Sequence, residues 1–278
     1  MIKIFTIEVS YFNLDNIYNS GQAPRWIPLS QSPERSKYVI PHKDKALKIE
    51  QQRDRFDWTK FRLIMSCNEE DFYNIWFEYF DLRTDCLDVN MKVKRLGGKF
   101  KVPANRGSGI HIIHQDEFEA YVLAKLITFV GYRKAGELMN RIAQTYGIEH
   151  NQRMREAGRV VWYEWPTPET MLEKLNKENL KSDNKVKRFL KKLCEAIIND
   201  GYDYTCSDNE LFRLFGMHDI TVFPLVGIEE TLMKNFGEES EEFADWYLGD
   251  IENKGIVYMY IVHHILNRPK EVTSYGIG

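Results

Sequence analysis

The hydrophobic pattern changes period between residues 67 and 116, and this change constrains the fold more than any other feature of the chain. Up to Cys67, apolar residues alternate in IKIFTIEV, and KYVIP, ALKIEQQ and FRLIMSC are short runs of strand-forming residues. Turn-forming residues separate these runs, so they predict an antiparallel sheet. From Asp116 onward, apolar residues recur at helical spacing.

The pattern therefore predicts an α+β fold with two parts. We expect an N-terminal antiparallel β-sheet domain with one helix over residues 1–109, packed on an all-helical domain over residues 110–278. The one helix of the first part begins after Asn68, whose side chain can cap it. The basic segment 91–109 contains Gly97-Gly98 and Pro103, and we interpret it as a linker or loop.

Helix signals divide the second part into a series of helices. Thr167 caps a helix that has Pro168 in its first turn, and another helix ends at Gly147. The full set of expected helical segments is 116–130, 133–147, the segment from 168, 185–199, 207–215, 229–235, 240–247 and 255–266.

Composition excludes several classes of protein. The 278 residues are 43% hydrophobic and 13% aromatic, as in globular chains, and no apolar run is long enough to span a membrane. The four cysteines are scattered without a Cys-x-x-Cys pair: Cys67, Cys86, Cys194 and Cys206. We expect free thiols in a reducing cytoplasm, no bound metal and no cofactor. The pair His111 and His114 has no nearby cysteine, so we place it on a strand or loop surface.

The net charge of −3 hides a segregated distribution. Basic residues concentrate between Met91 and Gly109 and again around Lys185, Lys187 and Arg188, whereas acidic residues concentrate in the last quarter of the chain. Such segregation is compatible with one phosphate-facing surface on an acidic protein. Ordinary solvated faces would give the same charge pattern.

The stretch from Gly201 to Val226 has the signals of a tight connection, a capped helix and an apolar loop. Ser207 precedes Glu210 by three residues, the spacing of a capping box. The unpaired N–H groups of such a helix start attract phosphate. This stretch is therefore a candidate anion-binding site.

Four segments resemble the 8-oxoguanine DNA glycosylase branch of the helix-hairpin-helix DNA glycosylases. They are FNLDNIYNSGQAPRW (12–26), IWFEYFDLRTD (75–85), GIHIIHQDEFEAYV (109–122) and, more faintly, GDIENKGIVYMYIVHH (249–264). The resemblance implies a sheet domain packed against a helical domain, and excision of a damaged base after base flipping. We expect the motif aromatics Trp26, Trp76, Tyr79 and Phe80 to be packing residues.

The resemblance also shows where this chain departs from the family. Aligned without gaps on VFPLV, Ser207 stands at the position of the catalytic lysine and Val226 at that of the catalytic aspartate. Asp203 and Thr205 replace the glycines of the hairpin. A serine hydroxyl cannot form a Schiff base, and a valine cannot stabilise a developing cation.

The positions that read the base in the family have changed as well. Gly21 matches the loop glycine that contacts the flipped purine, while Ile256 and Tyr260 fall on the glutamine and the stacking aromatic of the last helix. The asparagines that fill the gap in the duplex fall on Phe129-Val130-Gly131, where Phe129 is either an apolar wedge or a packing residue. These changes argue against 8-oxoguanine as the substrate.

Three residues are candidates for relocated catalytic groups. Lys125 lies on an apolar helical stripe, where a buried lysine can act as nucleophile or base, or can extend to phosphate or solvent. Asp219 follows the hairpin helix and can reach the site as a carboxylate, or simply form a turn. Asp208 fits the helix dipole and is the third candidate.

Two DNA-binding functions remain open from the sequence, beside a third possibility, a protein that uses the fold without binding nucleic acid. The first is a monofunctional DNA glycosylase, without a lyase step, that excises an unusual or hypermodified base in repair or in defence against phage. The second is a catalytically inactive relative that binds DNA or a partner. In both cases we expect a monomer that binds double-stranded DNA and no membrane, with contacts from Phe129, Lys185, Lys187, Arg188 and Ser207.

Overall fold

The structure is a computed structural model of the full chain. It describes residues 3–57, 59–154, 158–178, 185–204, 210–217, 221, 248–249 and 251–267. Residues Ser207, Asp208, Asp219 and Val226 lie outside these described residues, as do the expected helices 229–235 and 240–247.

Five antiparallel strands form the N-terminal sheet, in the order β1-β5-β4-β3-β2. Their bounds are β1 Phe5–Ser10, β2 Ile27–Ser30, β3 Arg35–His42, β4 Lys45–Arg53 and β5 Lys60–Met65. The pairing of Phe5 with Met65 and of Ser10 with Lys60 brings the β4–β5 turn next to the end of β1. The predicted antiparallel sheet is confirmed, and β2 is an additional edge strand.

Two helices accompany the sheet. Helix α1 (Leu14–Asn19) follows β1, and helix α2 consists of Glu69–Asp71, a π-helical turn Phe72–Trp76, and Phe77–Tyr79. The side chain of Asn68 caps α2 by accepting a hydrogen bond of 2.6 Å from the amide of Asp71, as predicted. The aromatics Trp26, Trp76, Tyr79 and Phe80 are all at most 4% exposed, which confirms that they are packing residues.

The segment expected to be a linker is helical. Helix α3 (Cys86–Leu96) leads through a short turn at Gly98–Phe100 into helix α4 (Lys101–Arg106). Val89, Val93 and Ala104 are buried in the same core as the last helix of the chain. Gly97, Gly98 and Pro103, which suggested a linker, lie between the two helices or in the first turn of the second. Residues 86–106 pack against the helical part.

The helical part contains six further helices and one hairpin among the described residues. The helices are α5 Glu117–Val130, α6 Tyr132–Tyr146, α7 Pro168–Lys177, α8 Lys185–Asp200, α9 Glu210–Phe212 with a π-helical continuation Arg213–Met217, and α10 Lys254–Leu266. The hairpin pairs β6 (Ile148–Met154) with β7 (Gly158–Glu164). This hairpin is absent from the sequence prediction, because β6 carries polar residues at nearly every position.

Two hydrophobic cores lie side by side, one against the sheet and one among the helices. The extended segment before α5 passes between them, with Ile112 in the helical core and Ile113 in the sheet core. Helix α10 is buried on most of its surface because it runs through the centre of the helical core. No helix in the described part of the chain combines the length and apolarity needed to cross a bilayer.

Candidate functional site

The segment Ser20–Trp26 connects the two parts of the fold through the side chain of Gln22. Its amide nitrogen donates to the carbonyl of His111 at 2.8 Å, and its amide oxygen accepts from the backbone N–H of Ile113 at 2.9 Å. Gln115 in turn donates to the backbone carbonyl of Gln22 at 2.8 Å. Because Gln22 is fully buried, these bonds fix the loop, and Gly21 with it, on the segment that leads into α5.

Gly21 has a backbone conformation and a surrounding that require glycine. Its φ angle is +84°, in the left-handed region, and a Cβ atom there would lie 3.1 Å from both Leu266 Cδ1 and Tyr132 Cδ1. The loop, the start of α6 and the end of α10 therefore meet at this residue.

A cavity of about 470 Å³ lies at this meeting point. It opens between the turn that joins α5 to α6 and the last turn of α10. Its lining residues are Val130, Gly131, Tyr132, Arg133, Lys134, Glu137, Val262, Ile265 and Leu266. The size is adequate for a nucleobase-sized ligand.

The cavity wall combines aliphatic and charged groups. The hydroxyl of Tyr132 shares a hydrogen bond with that of Tyr258, which is buried, so the Tyr132 ring has a fixed position. Arg133 and Lys134 are exposed in the first turn of α6. Glu137 is the one carboxylate among the lining residues that the structure describes. The site can thus hold an uncharged, flat group by contact and attract an anion at its rim.

The predicted base-reading pair on the last helix, Ile256 and Tyr260, does not line this cavity. Ile256 and Tyr260 are both fully buried, and the Tyr260 ring faces Gly107, where an added Cβ would lie 2.6 Å from Tyr260 Cδ1. Burial holds the pKa of Tyr260 well above its ordinary value. The residues of α10 that line the cavity are Val262, Ile265 and Leu266, and Val262 and Leu266 have the same four-residue spacing as the predicted pair.

The sequence could not indicate which side of α10 faces this cavity, because α10 is apolar around its whole circumference. A helix without a polar face gives no periodicity from which its direction can be read. The sequence signal that could have located the cavity is Gly131, which separates two long helical patterns. In the structure its φ angle is +81°. Residues Tyr132, Arg133 and Lys134, immediately after that break, were not among the predicted site residues.

Phe129 lies at the surface beside the cavity. Its side chain is 45% exposed and stacks on Phe189 of α8, with 4.8 Å between ring centroids and 3° between planes. Lys185 and Arg188 are exposed on α8. The stack therefore joins the cavity rim to a basic helix face.

Lys187 differs from its neighbours on α8. It is less exposed than Lys185 and Arg188, and its ammonium forms a salt bridge with Glu178 at the end of α7. An ammonium held by a carboxylate has less charge to offer to phosphate, so the predicted DNA contact of Lys187 has no support in its surroundings.

Lys125 is not buried as its apolar neighbours suggested. It is partly buried, and its ammonium lies 5.5 Å from the centre of the Tyr121 ring. It is also absent from the residues that line the cavity. A cation over an aromatic ring explains how a lysine is accommodated on this helix.

The hairpin stretch is described only in part. Leu211, Leu214 and Phe215 are buried as the helical spacing predicted. The four positions on which the catalytic predictions depend, Ser207, Asp208, Asp219 and Val226, lie outside the described residues.

His111 is a core residue and not a surface one. It is 3% exposed, and its ring nitrogens lie 3.0 Å from the carbonyl oxygen of Asp81 and 3.3 Å from that of Tyr11. Burial lowers its pKa. The described residues contain no group of three side chains placed to bind a metal ion.

Comparison with known proteins gives the class of this fold. Over 95% of this chain and 97% of the other, it is similar to the 8-oxoguanine glycosylase/lyase of Clostridium acetobutylicum in complex with DNA, at 21% identity and a TM-score of 0.69. It is also similar to MBOgg1 in complex with a low-affinity DNA ligand (16% identity, TM-score 0.69, 93% and 94% covered). The 3-methyladenine DNA glycosylase of Archaeoglobus fulgidus shares the fold (14% identity, TM-score 0.64, 95% and 100% covered). The chain therefore shares the fold of these DNA glycosylases.

One family model matches the N-terminal part of the chain. Residues 4–121 match the family model described as 8-oxoguanine DNA glycosylase, N-terminal domain. This part is therefore similar to the N-terminal domain of 8-oxoguanine DNA glycosylases, and the chain as a whole shares their fold. No curated protein matches the chain significantly.

Proposed function

We propose that this protein is a DNA glycosylase that flips an unusual or hypermodified base out of double-stranded DNA and excises it without a lyase step. The cavity beside Gly21 carries this proposal. It has room for an extruded base at the place where the loop glycine and the last helix meet.

The walls of the cavity suggest the kind of base. Val262 and Leu266 offer aliphatic contacts, and neither can form a hydrogen bond to a base edge. The part of the wall that α10 forms therefore selects by shape and apolar contact, while the charged groups come from the start of α6. We therefore infer a base with a bulky or apolar modification, and not 8-oxoguanine.

The surroundings of the cavity suit a DNA duplex. Phe129 can enter the gap that the extruded nucleotide leaves, since apolar side chains support unstacked base steps in this way. Arg133 and Lys134 at the rim and Lys185 and Arg188 on α8 offer cationic groups to the phosphates.

The reaction we propose is a hydrolysis. The N-glycosidic bond breaks, the base departs with the bonding electron pair and takes up a proton. A water oxygen bonds to the sugar carbon and loses a proton, which leaves an abasic site. A carboxylate beside the sugar lowers the energy of the positive charge that develops there, and we assign this role to Asp219, with Asp208 as a weaker candidate. Lys125 is a weaker candidate for the base that takes the proton from the water.

A second function follows from the substitutions in the hairpin stretch. With Ser207 and Val226 at the family's lysine and aspartate positions, the chain can be an inactive relative that binds DNA or a partner through the inherited surface.

One experiment separates the two. Duplexes that each carry one modified base are incubated with the protein, and abasic sites are detected by cleavage with mild alkali. Cleavage at one modified base, lost in Asp219→Asn, supports excision with that carboxylate. Binding without cleavage on every duplex favours the inactive relative. The identity of the released base would then indicate whether the protein acts in repair or in defence against phage.

A further inference from the structure

Phe56 projects into solvent from the turn between β4 and β5, far from any core. Its side chain is 98% exposed, more than any other large apolar side chain in the described part of the protein. Neither the fold nor the proposed excision has a use for an aromatic ring in this position.

The turn that carries Phe56 is built by two carboxylates. Asp54 Oδ1 accepts hydrogen bonds of 2.8 Å from the backbone N–H groups of Phe56 and Asp57. Asp57 Oδ1 accepts one of 3.0 Å from the N–H of Thr59. The backbone carbonyl of Thr59 also accepts a bond of 2.7 Å from the N–H of Tyr11, which ties the turn to the end of β1. The backbone at Phe56 and at its described neighbours is therefore held by hydrogen bonds.

A basic groove of about 260 Å³ adjoins the ring. It is lined by four cationic side chains and two carboxylates: Arg53, Arg55, Lys60, Arg62, Glu8 and Asp54. The pair of Arg62 with Glu8 is long, at 4.0 Å, and both side chains are more than half exposed, so it leaves the guanidinium available. The groove is thus net positive on a chain whose net charge is −3.

From this combination we propose that the β4–β5 turn binds an unpaired stretch of nucleic acid, with a base stacked on Phe56 and the adjoining phosphates on the arginines. Single-strand binders combine a positive groove with aromatic side chains in this way. Guanidinium groups suit the occupant because they bind phosphate oxygens with two hydrogen bonds. One aromatic side chain with a charged rim is a small apolar area for a protein partner.

The test uses the full-length protein and a fluorescein-labelled 12-mer of thymidine or uridine, followed by fluorescence anisotropy. It is run in a variant with Lys185→Ala and Arg188→Ala, so that the α8 face contributes less. Phe56→Ala should weaken binding by about 5- to 100-fold. Arg53→Ala with Arg55→Ala should flatten the salt dependence of log affinity by about 0.7 for each phosphate that the two arginines neutralise in the parent.

Matched controls lie at the opposite end of the same sheet. Ile4 is 60% exposed, so Ile4→Ala removes an exposed apolar side chain, and Lys3→Ala removes an exposed charge. Both should bind the 12-mers as the parent does. Photocrosslinking of a 5-iodouracil 12-mer should label the tryptic peptide 56–60, and the DNA and RNA arms identify the preferred sugar.

Three results would overturn the proposal. The first is no binding of either 12-mer, and the second is an equal loss in Phe56→Ala and Ile4→Ala. The third is binding to vesicles of anionic lipid that depends on Phe56 while 12-mer binding does not. None of them bears on base excision, which is measured separately on duplexes.

Discussion

The guanidinium of Arg25 and the carboxylate of Glu119 form two hydrogen bonds of 2.6 Å each, between the loop before β2 and helix α5. Arg25 also donates to the backbone carbonyl of Tyr163 on β7 at 2.7 Å. Both side chains are almost completely buried. One arginine therefore ties together the sheet domain, the central helix and the β6–β7 hairpin.

Removing one partner of this pair should destabilise the protein strongly. Arg25→Ala leaves a buried carboxylate without its cation, and we expect the free energy of unfolding in urea to fall by about 3–5 kcal/mol. The exposed pair of Lys177 with Glu173 is the control, and Lys177→Ala should cost less than about 1 kcal/mol. Equal losses in the two variants would contradict the role of the buried pair.

Acid should weaken the fold through His42. Burial lowers the pKa of His42 from 6.5 to about 4, with smaller contributions from Lys43 and Arg25. Because the folded pKa lies below the unfolded one, the unfolded chain binds more protons between these values. The stability that neutral His42 contributes is therefore fully present above pH 6.5 and is lost as the pH falls toward 4.

The measurement is urea unfolding at pH 7 and pH 5, with His42→Gln for comparison. The variant should lose less stability on acidification than the parent, by about 2 kcal/mol. Burial raises the pKa of Asp81 to about 6, so that its titration changes the stability with pH in the opposite direction. This contribution is the same in both proteins and cancels in the comparison. Identical losses in the two proteins would show that His42 does not titrate in this way.

Two neighbouring cations on α8 should differ in DNA binding. Arg188 is exposed, whereas Lys187 is engaged by Glu178. In duplex binding at a series of salt concentrations, Arg188→Ala should reduce the slope of log affinity against log salt by about 0.9. Lys187→Ala should change it less. A larger change of the slope in Lys187→Ala than in Arg188→Ala would show that the Lys187 ammonium contacts the phosphates.

Borohydride should trap no covalent adduct between the protein and DNA. A Schiff base needs an amine at the sugar carbon, and Ser207 stands at the family's lysine position. Adducts are sought by gel electrophoresis after incubation with each modified duplex. An adduct that disappears in Lys125→Met would identify that lysine as a nucleophile, and its ammonium would have to leave Tyr121.

The sequence predicted elements whose signals are local. Asn68 and Thr167 mark helix starts because their side-chain oxygens accept hydrogen bonds from backbone N–H groups three residues later. Gly147 marks a helix end, where its own N–H donates to the carbonyl of Ala143. Segment 86–106 was missed because its helices are short and basic, and they are held by packing against α10.

Only part of the cavity could be located from the sequence, for a similar reason. Gly21 could be found because its neighbours Ser20, Gln22 and Trp26 form a recognisable motif. Val262 and Leu266 could not, because the direction of an entirely apolar helix is set by the whole core and not by its own sequence.

Release of a modified base from duplex DNA tests the central claim most directly, with Gly21→Ala and Gly136→Ala beside the parent. The Cβ of Gly21→Ala would strain a positive φ and press on Leu266 and Tyr132, whereas that of Gly136→Ala meets only Pro24, at 3.4 Å. We expect the parent and Gly136→Ala to release at least one modified base and Gly21→Ala to release it at least about tenfold more slowly, a cost of about 1.4 kcal/mol. Equal release by all three proteins would place the reaction outside this cavity, and release of no base by any of them would contradict the proposed activity.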